Sequence, residues 1–280
     1  MIQKLELKNT NKQLIKNFIS IFIGFIVSKI MRAYKWYEMR NDSSYSFRSD
    51  RLYPHQVTNL YKYFHSYAEN YKHEQLNSGD IEKTSQYFHF KTLDEAGVGN
   101  NVTICNIGCF YCVSEKHFLN KHKNAFIYGM DFGNVEELNK DIADPRLKII
   151  EGYPLLSLEK MVKEGKKDIF DYAFFTRTAT MINIEQLRSY MRALKVLSKS
   201  VCFLEVMKIL LIPMKKVAVE EIDVNNPVRM YEGMYIHNYP ALLKEYGYQV
   251  TQKELLGPKS FTQWVTSDHY FIHVVGKREI

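Results

Sequence analysis

The chain has 280 residues, 46% of them apolar and 25% charged, with a formal net charge of +7 and four cysteines. That balance excludes a disordered tail, a fibrous repeat and a cysteine-dense secreted scaffold. It leaves enough apolar material for one large domain with an appendage.

In chain order, the first feature is a basic apolar stretch. Lys4, Lys8, Lys12, Lys16, Lys29, Arg32 and Lys35 stand against the single acid Glu6, and they flank Phe18–Met31, FISIFIGFIVSKIM. A membrane-spanning helix needs about 20 apolar residues, so this run is too short to cross, and it has no small-residue cleavage site of the kind that ends a signal peptide. A peripheral contact with an anionic membrane through residues 14–35 fits the flanking charge best; a buried helix and a homodimer contact are the other readings. No arginine-rich stripe or RNA-binding motif accompanies the charge, so nucleic acid is not an expected partner. Asn41 to Asp50, NDSSYSFRSD, reads as a loop. Over 54–76, Val57, Leu60, Tyr61, Phe64 and Tyr67 recur at three- and four-residue steps, which predicts a helix, with Pro54 suited to its first turn. Residues 77–101 are polar and read as a lead-in, so the chain divides into a helical region over 1–95 and a main domain over 96–280.

After residue 101 short apolar runs alternate with longer amphipathic segments. VTICNI (102–107), AFIYGM (125–130), LKII (147–150), FDYAFF (170–175) and VCFLEV (201–206) read as buried strands. Between the last two, Ile184, Leu187, Tyr190, Met191 and Leu194 mark a helical face. Alternating strand and helix predicts an α/β domain whose parallel sheet is covered on both faces. The tail differs: YQVTQKELL and HYFIHVVGK are two strands without a helix between them, which predicts an antiparallel end to a seven-stranded sheet.

In an open sheet of this kind ligands bind beyond the carboxyl ends of the strands. The first strand ends in Asn106-Ile107-Gly108-Cys109, where Gly108 permits a tight turn and close approach of a ligand. The second ends at Asp131, 23 positions after Gly108, near the spacing at which a carboxylate reaches the hydroxyls of a ribose. The third ends in Glu151-Gly152-Tyr153, a small residue and a ring suited to the border of a flat base. The fourth ends in Thr176-Arg177-Thr178.

Taken in order, VTICNIGCFYC, FIYGMDFG, IIEGYP and FDYAFFTRTATMINIEQLRSYMRALKVLSKSVCFLEVM resemble a class I S-adenosylmethionine-dependent methyltransferase from Val102 to Ile280. The likeness to enzymes of surface-carbohydrate and natural-product pathways is looser. The resemblance implies a Rossmann-like fold, S-adenosylmethionine as cofactor, and methyl transfer to a small molecule or glycan, with a hydroxyl oxygen as acceptor. It implies that Asn106, Gly108 and Cys109 approach the methionine moiety, that Asp131 and Phe132 hold the ribose, and that Gly152 and Tyr153 border the adenine. Thr176 and Arg177 fall in the loop that faces the methyl group. It calls for no metal. Asn106 stands where the family has an acid, and Phe110 and Cys112 replace two glycines.

Methyl transfer from a sulfonium is an in-line displacement, and alignment alone contributes roughly 7–11 kcal/mol. A hydroxyl acceptor also calls for a base. His237 is the first candidate, because imidazole titrates near neutrality, and Glu205 the second.

Two other readings come from the same residues. Cys105, Cys109 and Cys112 have the spacing C-x3-C-x2-C, which resembles the iron–sulfur motif of radical S-adenosylmethionine enzymes, where three thiolates hold a cluster with one iron open. The altered first loop also fits a domain that keeps the fold without the chemistry and serves as a binding or scaffold subunit. Reduced thiols favour the cytoplasm as location, at the inner face of the membrane if the N-terminal segment docks there.

Overall fold

The computed structural model describes residues 81–280 apart from 132–135, 137, 138, 141, 209–218, 230–234, 258, 259, 262–268 and 280. The chain divides into two units, residues 1–46 and 47–280, and the described residues all belong to the second. The basic apolar segment 18–31, the helix expected over 54–76 and everything else expected before residue 81 lie outside the described residues. No helix among the described residues is long and apolar enough to cross a membrane.

The elements run α1 (Phe88–Glu95), β1 (Thr103–Ile107), α2 (Val113–Lys121), β2 (Phe126–Asp131), β3 (Leu147–Glu151), α3 (Pro154–Lys163), β4 (Phe170–Thr176), α4 (Ile184–Leu197) and β5 (Ser198–Lys208). A short hairpin of β6 (Val228–Arg229) and β7 (Tyr235–Ile236) follows, then α5 (Tyr239–Glu245), β8 (Tyr248–Leu256) and β9 (His269–Arg278). Seven strands form one sheet in the order β3-β2-β1-β4-β5-β9-β8. The first five are parallel; β9 runs antiparallel to β5, and β8 antiparallel to β9. The expected mostly parallel seven-stranded sheet with its antiparallel end is what the chain forms.

The reason lies in the strand sequences. A parallel strand is covered on both faces, so it reads as a continuous apolar run rather than an alternating one. In β1, Ile104 packs on one face with Phe90, Phe118 and Ile127, while its neighbours Cys105 and Ile107 pack on the other with Leu158, Phe175 and Leu187. Helices α3, α4 and α5 cover that second face; α1 and α2 cover the first. Helix α4 shows how such an element is specified. Asn183 caps it by accepting the Gln186 N–H at 2.9 Å, and Leu187, Tyr190, Met191, Leu194 and Leu197 are buried along one stripe. Truncating a fully buried member such as Leu187 to alanine costs about 2–5 kcal/mol.

One stretch departs from expectation. Residues 77–101 read as a polar lead-in, yet they contain α1, and Tyr87, Phe90 and Leu93 are buried against the sheet. Those three positions recur every third residue, a single turn-by-turn stripe too short to stand out among the polar residues around it.

Candidate functional site

The strand order reverses between β1 and β4, and the loops after these strands meet at the carboxyl edge of the sheet. The first of them, residues 108–112, folds back over the end of β2. Gly108 and Cys109 both point their N–H groups at the Met130 carbonyl, at 2.8 and 3.4 Å. Phe110 takes a left-handed backbone, φ 51°, and its N–H donates to Asp131 Oδ2 at 2.7 Å. The Asn139 side chain closes the loop from outside by donating to the Phe110 carbonyl at 2.9 Å. The position where the methyltransferase resemblance calls for a glycine thus has the backbone that glycine favours, although phenylalanine occupies it.

Gly108 also sits at positive φ, and a Cβ there would run into the Thr178 hydroxyl. The glycine is required because the two loops touch. Gly152 differs: its φ is 112°, its N–H donates to the Asp131 carbonyl at 3.0 Å, and nothing lies within 4 Å of where a Cβ would stand. Next to it Tyr153 begins α3 and meets the Tyr190 ring edge-on at 6.2 Å, and burial pushes its hydroxyl up to about 12. Phe132 lies outside the described residues.

The loop after β4 is built from the other side. Arg177 is left-handed, φ 58°, and its N–H donates to the Leu204 carbonyl at 2.8 Å. Glu205, 0% exposed, accepts from the backbone N–H groups of Thr178, Ala179 and Thr180 at 3.1, 2.8 and 3.2 Å. Burial lifts its carboxyl to about 8, against the pull of those donors. His237 is 1% exposed. Its Nε2 faces the Ile182 carbonyl at 2.9 Å, and since a carbonyl only accepts, Nε2 carries the proton. Burial lowers its pKa to about 4.

Of the residues expected at the site, Gly108, Asp131, Gly152, Thr176 and Arg177 therefore stand at the strand ends of one edge. Glu205 and His237 lie behind the second loop, with the Glu205 carboxyl and His237 Nε2 turned to backbone, the geometry of groups that hold a loop in place. His237 Nδ1 is buried without a hydrogen-bond partner among the described residues. Asn106 is buried, and its Nδ2 donates to Glu115 Oε1 at 2.5 Å, toward α2.

The three cysteines do not converge. Cys105 lies in the core of the opposite face, with its thiol 3.9 Å from the Met130 sulfur, whereas Cys109 and Cys112 pack on the α1 and α2 side. Consecutive strand residues point to opposite faces, so a cysteine inside β1 is lost to a cluster built on the loop. The radical reading loses its third ligand.

One residue of this neighbourhood escaped the sequence reading. Glu115, 1% exposed, sits in the first turn of α2, and burial lifts its carboxyl to about 7. The signal was present as the three-residue step from Cys112, the cap of α2, to Glu115, which stacks the two on a helix, with Cys109 one further three-residue step back in the loop.

No protein-family model and no curated protein matches the sequence. Solved structures do match. An O-methyltransferase family protein from Burkholderia thailandensis aligns over 89% of this chain and 71% of its own, with a TM-score of 0.51 and 10% identity. The chain has the Rossmann-like fold of the class I methyltransferases. A second Burkholderia thailandensis protein, a 1,6-didemethyltoxoflavin-N1-methyltransferase with bound S-adenosylhomocysteine, aligns over 82% of this chain and 92% of its own, with a TM-score of 0.49 and 13% identity. A TehB-like methyltransferase from Corynebacterium glutamicum aligns over 76% and 99%, with a TM-score of 0.48 and 11% identity. Open α/β sheets bind ligands beyond the carboxyl ends of their strands, and Gly108, Asp131 and Gly152 stand at that edge.

Proposed function

We propose that the chain binds S-adenosylmethionine at this edge and directs its methyl group to a small-molecule or glycan acceptor, with a hydroxyl oxygen as the receiving atom. The observation that carries the reading is the Asp131 carboxylate, partly exposed at the end of β2, bonded to the first loop through Phe110 and flanked by the open space at Gly152. That half of the edge fits a nucleoside: a carboxylate for the ribose diol, a bare backbone for the base, and the Tyr153 ring beside it. The cofactor supplies an electrophilic methyl on a sulfonium. The chain's part is alignment. Glu205 holds the N–H groups of residues 178–180 in place, His237 holds Ile182, and so Thr176 and Arg177 are fixed where an acceptor would approach. Glu205 and His237 act here as positioning residues.

Calorimetry with S-adenosylhomocysteine tests the reading. Heat from the wild-type chain, reduced at least tenfold in affinity by Asp131→Ala, is the expected result. Absence of heat from the wild type would leave the scaffold reading ahead, which the close approach of Thr178 to Gly108 supports.

The aromatic content of 14% supports a glycan acceptor, and the reduced thiols a cytoplasmic location. The basic residues flanking 18–31 support peripheral membrane contact through residues 14–35, and that same apolar run supports a homodimer as the alternative. Liposome flotation of the full chain against one starting at Asn41 separates the two: equal partitioning removes the membrane.

A further inference from the structure

Cys109 and Cys112 of the first loop turn into the α1 and α2 side of the sheet, where they meet Glu115. We propose that Cys109, Cys112 and Glu115 form a binding site for a thiophilic divalent cation of the zinc class. This stands on observations independent of the cofactor reading.

The geometry is the first argument. The two sulfurs and a Glu115 carboxylate oxygen lie within 4.8 Å of one another. Ligand atoms on one tetrahedral zinc ion stand about 3.6–3.8 Å apart, given bond lengths near 2.3 Å to sulfur and 2.1 Å to oxygen, so small side-chain rotations bring all three onto one ion. The trio is also set by the chain. Cys112 caps α2, and Glu115 follows one turn later on the same face. Gly129 of β2 leaves the room: a Cβ there would lie 3.0 Å from the Cys109 sulfur and 3.2 Å from the Cys112 sulfur.

The second argument is charge. Glu115 is buried, and among the described residues its hydrogen-bond partner is the neutral amide of Asn106; no lysine or arginine pairs with it. A buried carboxyl is neutralised by a proton, held by hydrogen-bond donors, or paired with a cation or metal, and beside two thiols a metal ion is a partner the site can accept. A divalent ion pairs directly with the carboxylate, and with two thiolates also bound the centre carries one net negative charge. The third argument is an orphan: Asn106 Oδ1 is buried without a hydrogen-bond partner, on the residue already bonded to Glu115. An acceptor left over in this way, on the residue that holds Glu115, leaves room for a further polar group at the site. Binding releases the two thiol protons to solvent. The ion would tie the end of β1, the first loop and α2 together.

The test uses the full chain, reduced and stripped with a chelator, then titrated with cobalt(II). One equivalent is expected to produce thiolate-to-cobalt charge-transfer absorption with visible bands of a tetrahedral centre, to protect two thiols from a thiol reagent, and to be displaced by zinc(II). Cys112→Ser should remove the charge transfer from one thiolate. Asn106→Ala should weaken cobalt binding by about tenfold, as loss of a group supporting a metal ligand does. The wild-type titration decides the matter even if a variant fails to fold. No charge-transfer band and no thiol protection in the reduced wild type overturns the proposal. So does air oxidation of Cys109 and Cys112 to a disulfide in protein that never takes up metal when reduced.

Discussion

The loops after β1 and β4 are each clamped by a carboxylate from the end of the neighbouring strand, and the two clamps differ. Asp131 reaches across from β2 to take the Phe110 N–H and keeps part of its surface in solvent. Glu205 reaches across from β5, is 0% exposed, and takes three N–H groups in succession. The same device serves two ends. A carboxylate at a solvent edge can also meet a ligand, while one that takes three N–H groups in the interior is committed to the fold. An acidic letter at a strand end does not tell these apart.

The sharpest way to break the contrast is to delete each clamp. Glu205→Ala orphans three N–H groups in the interior, and a loss of about 3 kcal/mol is expected at roughly 1 kcal/mol each, read from urea denaturation. Its pH dependence follows from the raised carboxyl. The fold lifts Glu205 from 4.5 to about 8, so its contribution is whole below pH 4.5 and is lost as pH rises toward 8. Glu205→Gln should flatten stability across that window; an unchanged profile would place the group's titration elsewhere.

His237 supplies the opposite slope. Its pKa falls from 6.5 to about 4, so its contribution is whole above pH 6.5 and fades as pH drops through 4. The loss should amount to at most on the order of 3 kcal/mol for this one residue. His237→Gln, melted at pH 7 and pH 4, should show a smaller difference than the wild type.

Asp131→Ala should cost only about 1 kcal/mol of stability while removing cofactor binding, which is the contrast with Glu205 in its most direct form. A stability loss as large as that of Glu205→Ala would erase the distinction. The smallest effect is expected at Arg177. Its left-handed backbone is one that glycine adopts without strain, so Arg177→Gly should raise stability by about 0.5 kcal/mol in thermal melts even if it impairs turnover.

Much of the fold was legible because parallel strands bury both faces. The apolar runs at 102–107, 125–130, 147–150 and 170–175 coincide with strands to within a residue or two, and β8 carries the sequence YQVTQKELL that marked it. Asp131 was legible as the last residue of its strand. What escaped were facts of partnership. Glu205 reads as a base until its N–H donors, more than 20 residues earlier in the chain, are in view. Glu115 reads as an ordinary solvated helix acid, since nothing local announces that Asn106 and two sulfurs surround it. Tyr87, Phe90 and Leu93 look like scattered apolar residues, because a stripe of one helix gains meaning only from the sheet it covers. Cys105 went the other way: its spacing grouped it with Cys109 and Cys112, and the pleat of β1 separated them.

The sheet order has a consequence for biosynthesis. Strand β9 is threaded between β5 and β8, pairing with β5 from Ser200–Lys277 to Lys208–His269 and with β8 along its other edge. Until residues 269–278 leave the ribosome, β5 has an open flank and β8, though Tyr248 can reach Leu194 and Ser198, lacks a strand to pair with. The nascent chain therefore waits with an unfinished sheet, and a stop before residue 269 would release a polypeptide with two bare edges, a ready substrate for chaperones and for aggregation.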